Sequence, residues 1–291
     1  MSEDLTVGCI QMTAVDDAGA NADQARRLIH EAADAGATLV LTPENTGFMT
    51  TGRQQVLAAG LPEDGHPVLQ ALTGLARERG IWLLIGSLWI RDAAEERNHN
   101  RSFLVDPEGR IAARYDKIHM FDVTVSDTES YRESRNFAPG DRAVVHDAPF
   151  GRIGLTICYD LRFPHLYRTL GQAGARLITV PAAFTRPTGA AHWDVLLRAR
   201  AIETGAFILA PAQTGAHPGG RETYGHSAIV APWGEIVAQA GTEPCALVAT
   251  LDLSKVEKAR GRVPAWQTEQ DFAPPPPAVA QDRAAGGQAA E

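Results

Sequence analysis

Apolar positions along the chain switch repeatedly between two spacings, and the switches mark the elements. Leu5 to Met12 runs apolar as a buried strand does, and Asn21 to Ala35 then sets Ala25, Leu28, Ile29, Ala32 and Ala33 on one helical face. Asn21 reads as the cap of that helix and Gly36 as its stop. Thr38 to Leu41 is a second short strand, so the opening stretch predicts β-α-β with a parallel, right-handed crossover. Helix Pro67–Arg79, strand Ile81–Ile90 and strands Asn100–Asp106 and Ile111–Tyr115 follow, the last two joined by a Pro- and Gly-containing turn. From about residue 118 to 140 no period is visible, and a loop of that length inside a compact domain is more often functional than decorative. Ile153, Leu155 and Ile157 form a β-prone run that ends at Cys158, after which helix Pro164–Ala173 and strand Arg176–Pro181 repeat the β-α-β unit. Ala191 to Thr204 places Trp193, Leu196, Leu197, Arg200, Ala201 and Thr204 on one helical stripe, where Arg200 requires a carboxylate or carbonyl partner. Strands Ala206–Ala210, Gly225–Ala231, Glu235–Gln239 and Ala246–Asp252 complete the pattern. The Pro/Ala/Gly-rich sequence after Phe272 cannot form a core, so the expectation is one globular domain over 1–270 and a disordered tail over 271–291.

Composition narrows the classes. With 291 residues, 44% hydrophobic and 21% charged, the chain can bury a large core. A net charge of −8 without a Lys/Arg-rich block argues against nucleic acid or an anionic membrane surface as partner. The N-terminus carries acidic residues and no apolar signal region, and no apolar run approaches the roughly 18 residues needed to span a bilayer, so a cytoplasmic location is expected. Cys9, Cys158 and Cys245 are odd in number and widely spaced, which disfavours a disulfide framework or structural zinc and leaves free thiols. Cys9, in mid-strand, and Cys245, at a strand start, read as structural.

Three ionisable residues stand where strands stop. Glu44 follows the second strand in Pro43-Glu44-Asn45, Lys117 leaves the strand ending at Tyr115, and Cys158 ends the apolar run before Pro164. In open α/β sheets ligands bind at the carboxyl ends of strands. Taken singly, Glu44 reads as an exposed loop residue and Cys158 as a packed thiol equally well. Together they meet the needs of thiol-dependent amide hydrolysis. A thiol with an ordinary pKa near 8.5 needs a base, which Glu44 can be. The developing oxyanion needs fixed donors, which Lys117 and the Tyr159 N–H can be, and Glu133 would keep Lys117 charged and oriented. His119 has no second His at ligand spacing on a shared element, so no metal site is expected. For a carboxylate-bearing substrate, Arg162, Phe184, Arg186 and His192 are the candidate contacts.

These motifs resemble the nitrilase, or carbon-nitrogen hydrolase, superfamily. Its Glu-Lys-Cys triad is matched by Glu44 in LTPEN, Lys117 in YDKIHMFD and Cys158 in ICYDLRFP, and its further carboxylate by Glu133 in YRES. The resemblance runs from about Leu5 to Trp266, and AHWDVLLRARAIET and YGHSAIVAPWG look most like the Nit branch, the deaminated glutathione amidases and omega-amidases. It implies a four-layer α-β-β-α sandwich of two mixed sheets packed face to face, dimerising or forming a higher homo-oligomer through helices flanking the nucleophile, with neither metal nor organic cofactor. It also implies a thioester route that splits a small carboxylate-bearing amide into acid and ammonia. Deaminated glutathione is the first substrate it suggests; an alpha-ketoglutaramate-type monoamide or an N-carbamoyl amino acid remains the alternative. A catalytically idle scaffold is disfavoured, because it has no use for an ionisable trio at strand ends. The loop Val123–Ser130 and the stretch Thr185–Thr188 depart from the pattern expected of relatives, and both would border the substrate.

Overall fold

The computed structural model describes residues 4–92, 96–125 and 130–275. Its first half runs β1 (Asp4–Gln11), α1 (Ala18–Asp34), β2 (Leu39–Leu41), α2 (Arg53–Ala59), α3 (Pro67–Arg79), β3 (Trp82–Ile90), β4 (His99–Val105) and β5 (Ile111–Asp116), then a small ribbon of β6 (Asp122–Thr124) and β7 (Ser130–Arg132). The second half runs β8 (Val144–Ala148), β9 (Gly151–Leu155), α4 (Pro164–Gln172), β10 (Leu177–Thr179), α5 (Arg186–Thr204), β11 (Phe207–Ala210), β12 (Thr214–Ala216) and β13 (Glu222–Tyr224). It ends with β14 (Ala228–Val230), β15 (Ile236–Gln239), β16 (Cys245–Asp252) and α6 (Ser254–Arg262).

Two six-stranded sheets result, ordered β16-β1-β2-β3-β4-β5 and β15-β14-β11-β10-β9-β8. Each has three parallel strands in its middle, β1-β2-β3 and β9-β10-β11, flanked by antiparallel neighbours. Both are mixed sheets, as expected. The period of two in β2 shows how the layers form: Leu39 and Leu41 join a core shared by both sheets, whereas Val40 joins the core under α1 and α3. Leu28, Ile29, Leu72 and Leu75 supply the helical side of that outer core, while Leu166, Leu170, Trp193 and Leu197 cover the second sheet from α4 and α5. The order is therefore helices, sheet, sheet, helices.

Most predicted elements recur within a residue or two, and α3 has the expected bounds, set by Pro67 in its first turn and Gly80 in the left-handed conformation after its last. Several expectations need correction. Helix α1 is capped by Asp17, whose carboxylate accepts from the Gly19 and Ala20 N–H groups at 2.9 and 3.0 Å. Asn21 lies inside the helix, buried, and its amide ties the backbone of Val15 and Gly47 instead. Helix α5 begins at Arg186, five residues earlier than its apolar stripe suggested, because Pro187 fits a first turn. Elements α2, β8, α6 and the ribbons β6-β7 and β12-β13 were not foreseen. Arg200 has both expected kinds of partner: the Leu161 carbonyl at 2.8 Å and the Glu203 carboxylate at 3.0 Å. Of the proposed tail, 276–291 lies outside the described residues, as do 126–129 of the Val123–Ser130 loop. Among the described residues no helix is long and apolar enough to cross a membrane.

Candidate active site

The chain between β2 and α2 carries Glu44 from the carboxyl end of a parallel strand into the space between the sheets. Its backbone is fixed from both sides. Gln213 donates to the Glu44 carbonyl at 2.9 Å, and Asn45, at φ 60, donates its N–H to Ser87 Oγ at 2.8 Å and accepts from Trp89 Nε1 at 2.7 Å. Gly86 permits the approach, since a Cβ there would lie 2.0 Å from the Thr42 carbonyl oxygen. Lys117 follows the last residue of β5. Its N–H donates to the Asn100 carbonyl at 3.0 Å, and its own carbonyl accepts from Gly140 at 2.8 Å. Cys158 begins a short 3-10 turn one residue beyond Ile157, at φ 50, with its N–H bonded to the Pro181 carbonyl at 2.9 Å. A residue with a Cβ held in the left-handed region presents its side chain at a sharp strand-to-helix bend.

The three side chains meet, and Glu133 joins them. Lys117 Nζ lies 2.8 Å from Glu44 Oε1 and 3.0 and 2.9 Å from the two oxygens of Glu133. Cys158 lines the same cavity, where Glu44, Lys117 and the Ala183 N–H all act on its thiol. Asn100, which sequence reasoning passed over, donates to Glu44 at 2.9 Å and spans toward Glu133 at 3.5 Å. Glu133 also accepts from the Phe121 N–H at 2.6 Å, which fixes the start of the long connection.

Charge inside this cluster is shared rather than free. Burial alone would raise the Glu44 carboxyl, but the Lys117 charge and hydrogen bond, the Cys158 hydrogen bond and the Arg221 charge outweigh it and hold Glu44 below the usual carboxylate range. Burial would likewise lower Lys117, yet Glu133, Glu44 and Cys158 keep it firmly an ammonium. Burial, then the Glu44 charge, push the Cys158 thiol well up, against the opposing Lys117. The resting proton thus sits on sulfur, next to an ionised carboxylate placed to take it.

A cavity of about 540 Å³ opens onto this cluster. Besides Glu44, Lys117, Glu133 and Cys158, its wall includes Tyr159, Arg162 and Phe184, three further residues singled out in the sequence. The Arg162 guanidinium stands over the Phe184 ring, 5.3 Å from its centroid. Arg186 and His192 are not in the wall. Arg186 is exposed and paired with Glu222 at 3.0 Å, and exposed His192 contacts Arg162 at 3.2 Å, so that the first turns of α5 present Thr188 to the wall rather than either of these cations. Four arginines not anticipated stand in their place: Arg53, Arg132, Arg135 and Arg221. Arg221 lies over the Tyr131 ring and its buried Nε has no hydrogen-bond partner among the described residues. No local sequence signal marks these four, which come from three separate segments.

A thiol, a carboxylate and an ammonium thus converge on one cavity of a two-sheet α/β protein, an arrangement that suits hydrolysis of an amide. A profile of the carbon-nitrogen hydrolase family matches residues 6–261, so the chain belongs to the carbon-nitrogen hydrolases. It is 42% identical over 236 residues to a deaminated glutathione amidase of Yersinia enterocolitica, covering 80% of this chain and 82% of that one. Among solved structures, the Caenorhabditis elegans NitFhit protein superposes with a TM-score of 0.85 at 35% identity, over 92% of this chain and 65% of that longer one. A mutant amidase from Nesterenkonia sp. AN1, with acrylamide added at its active site cysteine, superposes with a TM-score of 0.75 at 29% identity, over 89% of this chain and 98% of that one. The chain is an amide-hydrolysing enzyme of the Nit branch of the nitrilase superfamily.

Proposed function

We propose that Cys158 is the nucleophile, Glu44 its general base, Lys117 and the Tyr159 N–H the oxyanion donors, and that deaminated glutathione is the substrate. Glu44 takes the thiol proton as sulfur bonds to the amide carbon, and the carbonyl oxygen becomes an anion facing Lys117. Glu44 then returns the proton to the departing nitrogen, the carbon–nitrogen bond breaks and a thioester remains. Water, deprotonated by Glu44, attacks that thioester, and the proton goes back to sulfur as the acid leaves. Glu133 touches neither sulfur nor substrate in this scheme and holds Lys117 from behind.

The observation that carries the substrate is the charge of the cavity wall. Among the described residues its two carboxylates are both engaged with Lys117, whereas five arginines, Arg53, Arg132, Arg135, Arg162 and Arg221, face an opening in a protein of net charge −8. Such a wall favours a ligand with more than one carboxylate. Deaminated glutathione has a carboxylate at each end, and relatives bearing that name support the reading. One expectation changes with it. Both amides of this tripeptide derivative are secondary, so hydrolysis of either liberates an amino acid or dipeptide and no ammonia. The test is turnover of deaminated glutathione against alpha-ketoglutaramate and an N-carbamoyl amino acid, with primary amine and ammonia measured separately. Amine release from the first should dominate. Ammonia release from alpha-ketoglutaramate at higher kcat/KM would transfer the assignment to omega-amidase.

The exposed face of α5 suggests an assembly. Val195 and Ile202 are 68% and 58% accessible, and Trp233, under the Arg262 guanidinium, 50%, an apolar patch that the described residues leave largely exposed. We infer a homodimer through this face, with the domain spanning 1–270 and a cytoplasmic location, as the sequence pattern suggested.

A further inference from the structure

We propose that Asp160 is a positioning residue for the hydrolysis: one buried carboxylate fixes the segment that carries Lys117 against the turn that carries Cys158. The proposal rests on the functional reading above and adds a residue to it. Asp160 has no accessible surface and accepts four hydrogen bonds. Oδ2 accepts from the Tyr115 hydroxyl at 2.6 Å and from the Ile157 N–H at 2.9 Å. Oδ1 accepts from the His119 N–H at 3.0 Å and from His119 Nδ1 at 2.7 Å. The placement of these donors is the point. Tyr115 and His119 stand two residues before and two after Lys117, and Ile157 immediately precedes Cys158.

The tips of the triad are already tied, since Lys117 Nζ is gripped by Glu44 and Glu133. What that grip leaves open is where the two backbones start from, and this is what Asp160 sets. The Asp160 N–H returns a bond to the Ile157 carbonyl at 3.1 Å, closing a ring around Cys158, whose φ of 50 is disfavoured for any residue with a Cβ. The His119 ring, held by the same carboxylate, lies flat on Phe163 with centroids 3.5 Å apart, so the Lys117 segment also packs on the far end of that turn. Burial, and next the Asp160 charge, push the Tyr115 hydroxyl well up, which keeps it a donor. An apolar side chain would fill this space without the cost of dehydrating a carboxylate. Every bond that offsets the cost reaches one of the two reactive segments, and misplacing reacting groups by about 1 Å can cost on the order of a hundredfold in rate.

Asp160→Asn tests the idea, because it keeps the volume but leaves one acceptor oxygen and sets an NH2 group against donors. In the full chain, kcat for deaminated glutathione should fall about tenfold or more with KM changed less than about twofold. Alkylation of Cys158 by iodoacetamide, which depends on no choice of substrate, should slow in parallel. Tyr115→Phe should lower kcat alone, and add little on top of Asp160→Asn, since both cut the same link. A folded Asp160→Asn with kcat and alkylation rate within twofold of wild type overturns the proposal. Should that variant not fold, Tyr115→Phe and His119→Ala decide by the same criterion. Cys158→Ala separates the two levels: activity in it defeats the nucleophile assignment, whereas an inert Cys158→Ala beside an undiminished Asp160→Asn defeats only the role of Asp160.

Discussion

Lys117→Met removes a buried charge while keeping most of the side-chain volume. Lys117 and Glu44 are each only 2% accessible, and the ammonium bonds to Glu44 and to both oxygens of Glu133 within 3.0 Å. Without it, two carboxylates contacting what was one nitrogen face each other across at most about 6 Å, with Asn100 as the remaining shared donor. Breaking a buried pair by removing one partner costs about 3–5 kcal/mol. The loss has a definite pH dependence. In the wild type the Glu44 carboxyl lies below its usual range, so its contribution is present above the unfolded value and fades as pH falls. In the variant, burial and like charge raise the carboxyls, so their penalty is absent below the unfolded value and grows as pH rises through the folded one. Both effects act the same way. Urea unfolding should therefore show a deficit against wild type that is largest near about pH 8 and shrinks toward about pH 5. Activity at neutral pH should fall by about a thousandfold or more, since one oxyanion donor is worth roughly 10²–10³ and a protonated Glu44 no longer accepts the thiol proton. A deficit constant across this pH range, or activity within tenfold of wild type, would refute the ion-triad reasoning.

Charge removal at the cavity wall should separate binding from chemistry: Arg162→Met with Arg221→Met is expected to raise KM for deaminated glutathione about tenfold or more, at roughly 1–2 kcal/mol for each lost carboxylate contact, with a smaller change in kcat. Unchanged KM would remove these arginines from the binding site. His217 is pushed down from 6.5 to about 4 by burial, against its bond to the Ala14 carbonyl and with help from Arg221. Between those values the unfolded chain binds a proton that the folded one refuses, so stability should drop as pH falls through this window, by up to about 3 kcal/mol. His217→Gln should flatten that part of the urea-midpoint profile, and an unaltered profile would show that other groups carry it. Ile202→Asp on the exposed face of α5 should halve the mass measured by sedimentation; an unchanged mass would place the subunit contact elsewhere or deny it.

The hydrophobic pattern alone specified the local elements whose signals lie within a few residues. Helix α3 carries its Pro start and Gly stop beside it, and β2 alternates between two cores as its spacing requires. The candidates Glu44, Lys117 and Cys158 were legible because strand exits are visible in sequence, and the structure brings the three to one cavity. Elements with little apolar content escaped: α2 buries only Val56, and β8 is a half-buried edge. Tertiary structure alone decided which charges face the cavity. Arg53, Arg132, Arg135 and Arg221 gather from distant segments around one opening, while Arg186, beside the expected site in sequence, turns outward to Glu222. The same holds for Asp160, whose four donors belong to two segments that become neighbours only when the sheets close on each other. Periodicity records how each element meets its own core, but the direction of a polar side chain at a loop or helix start depends on what the rest of the chain brings beside it.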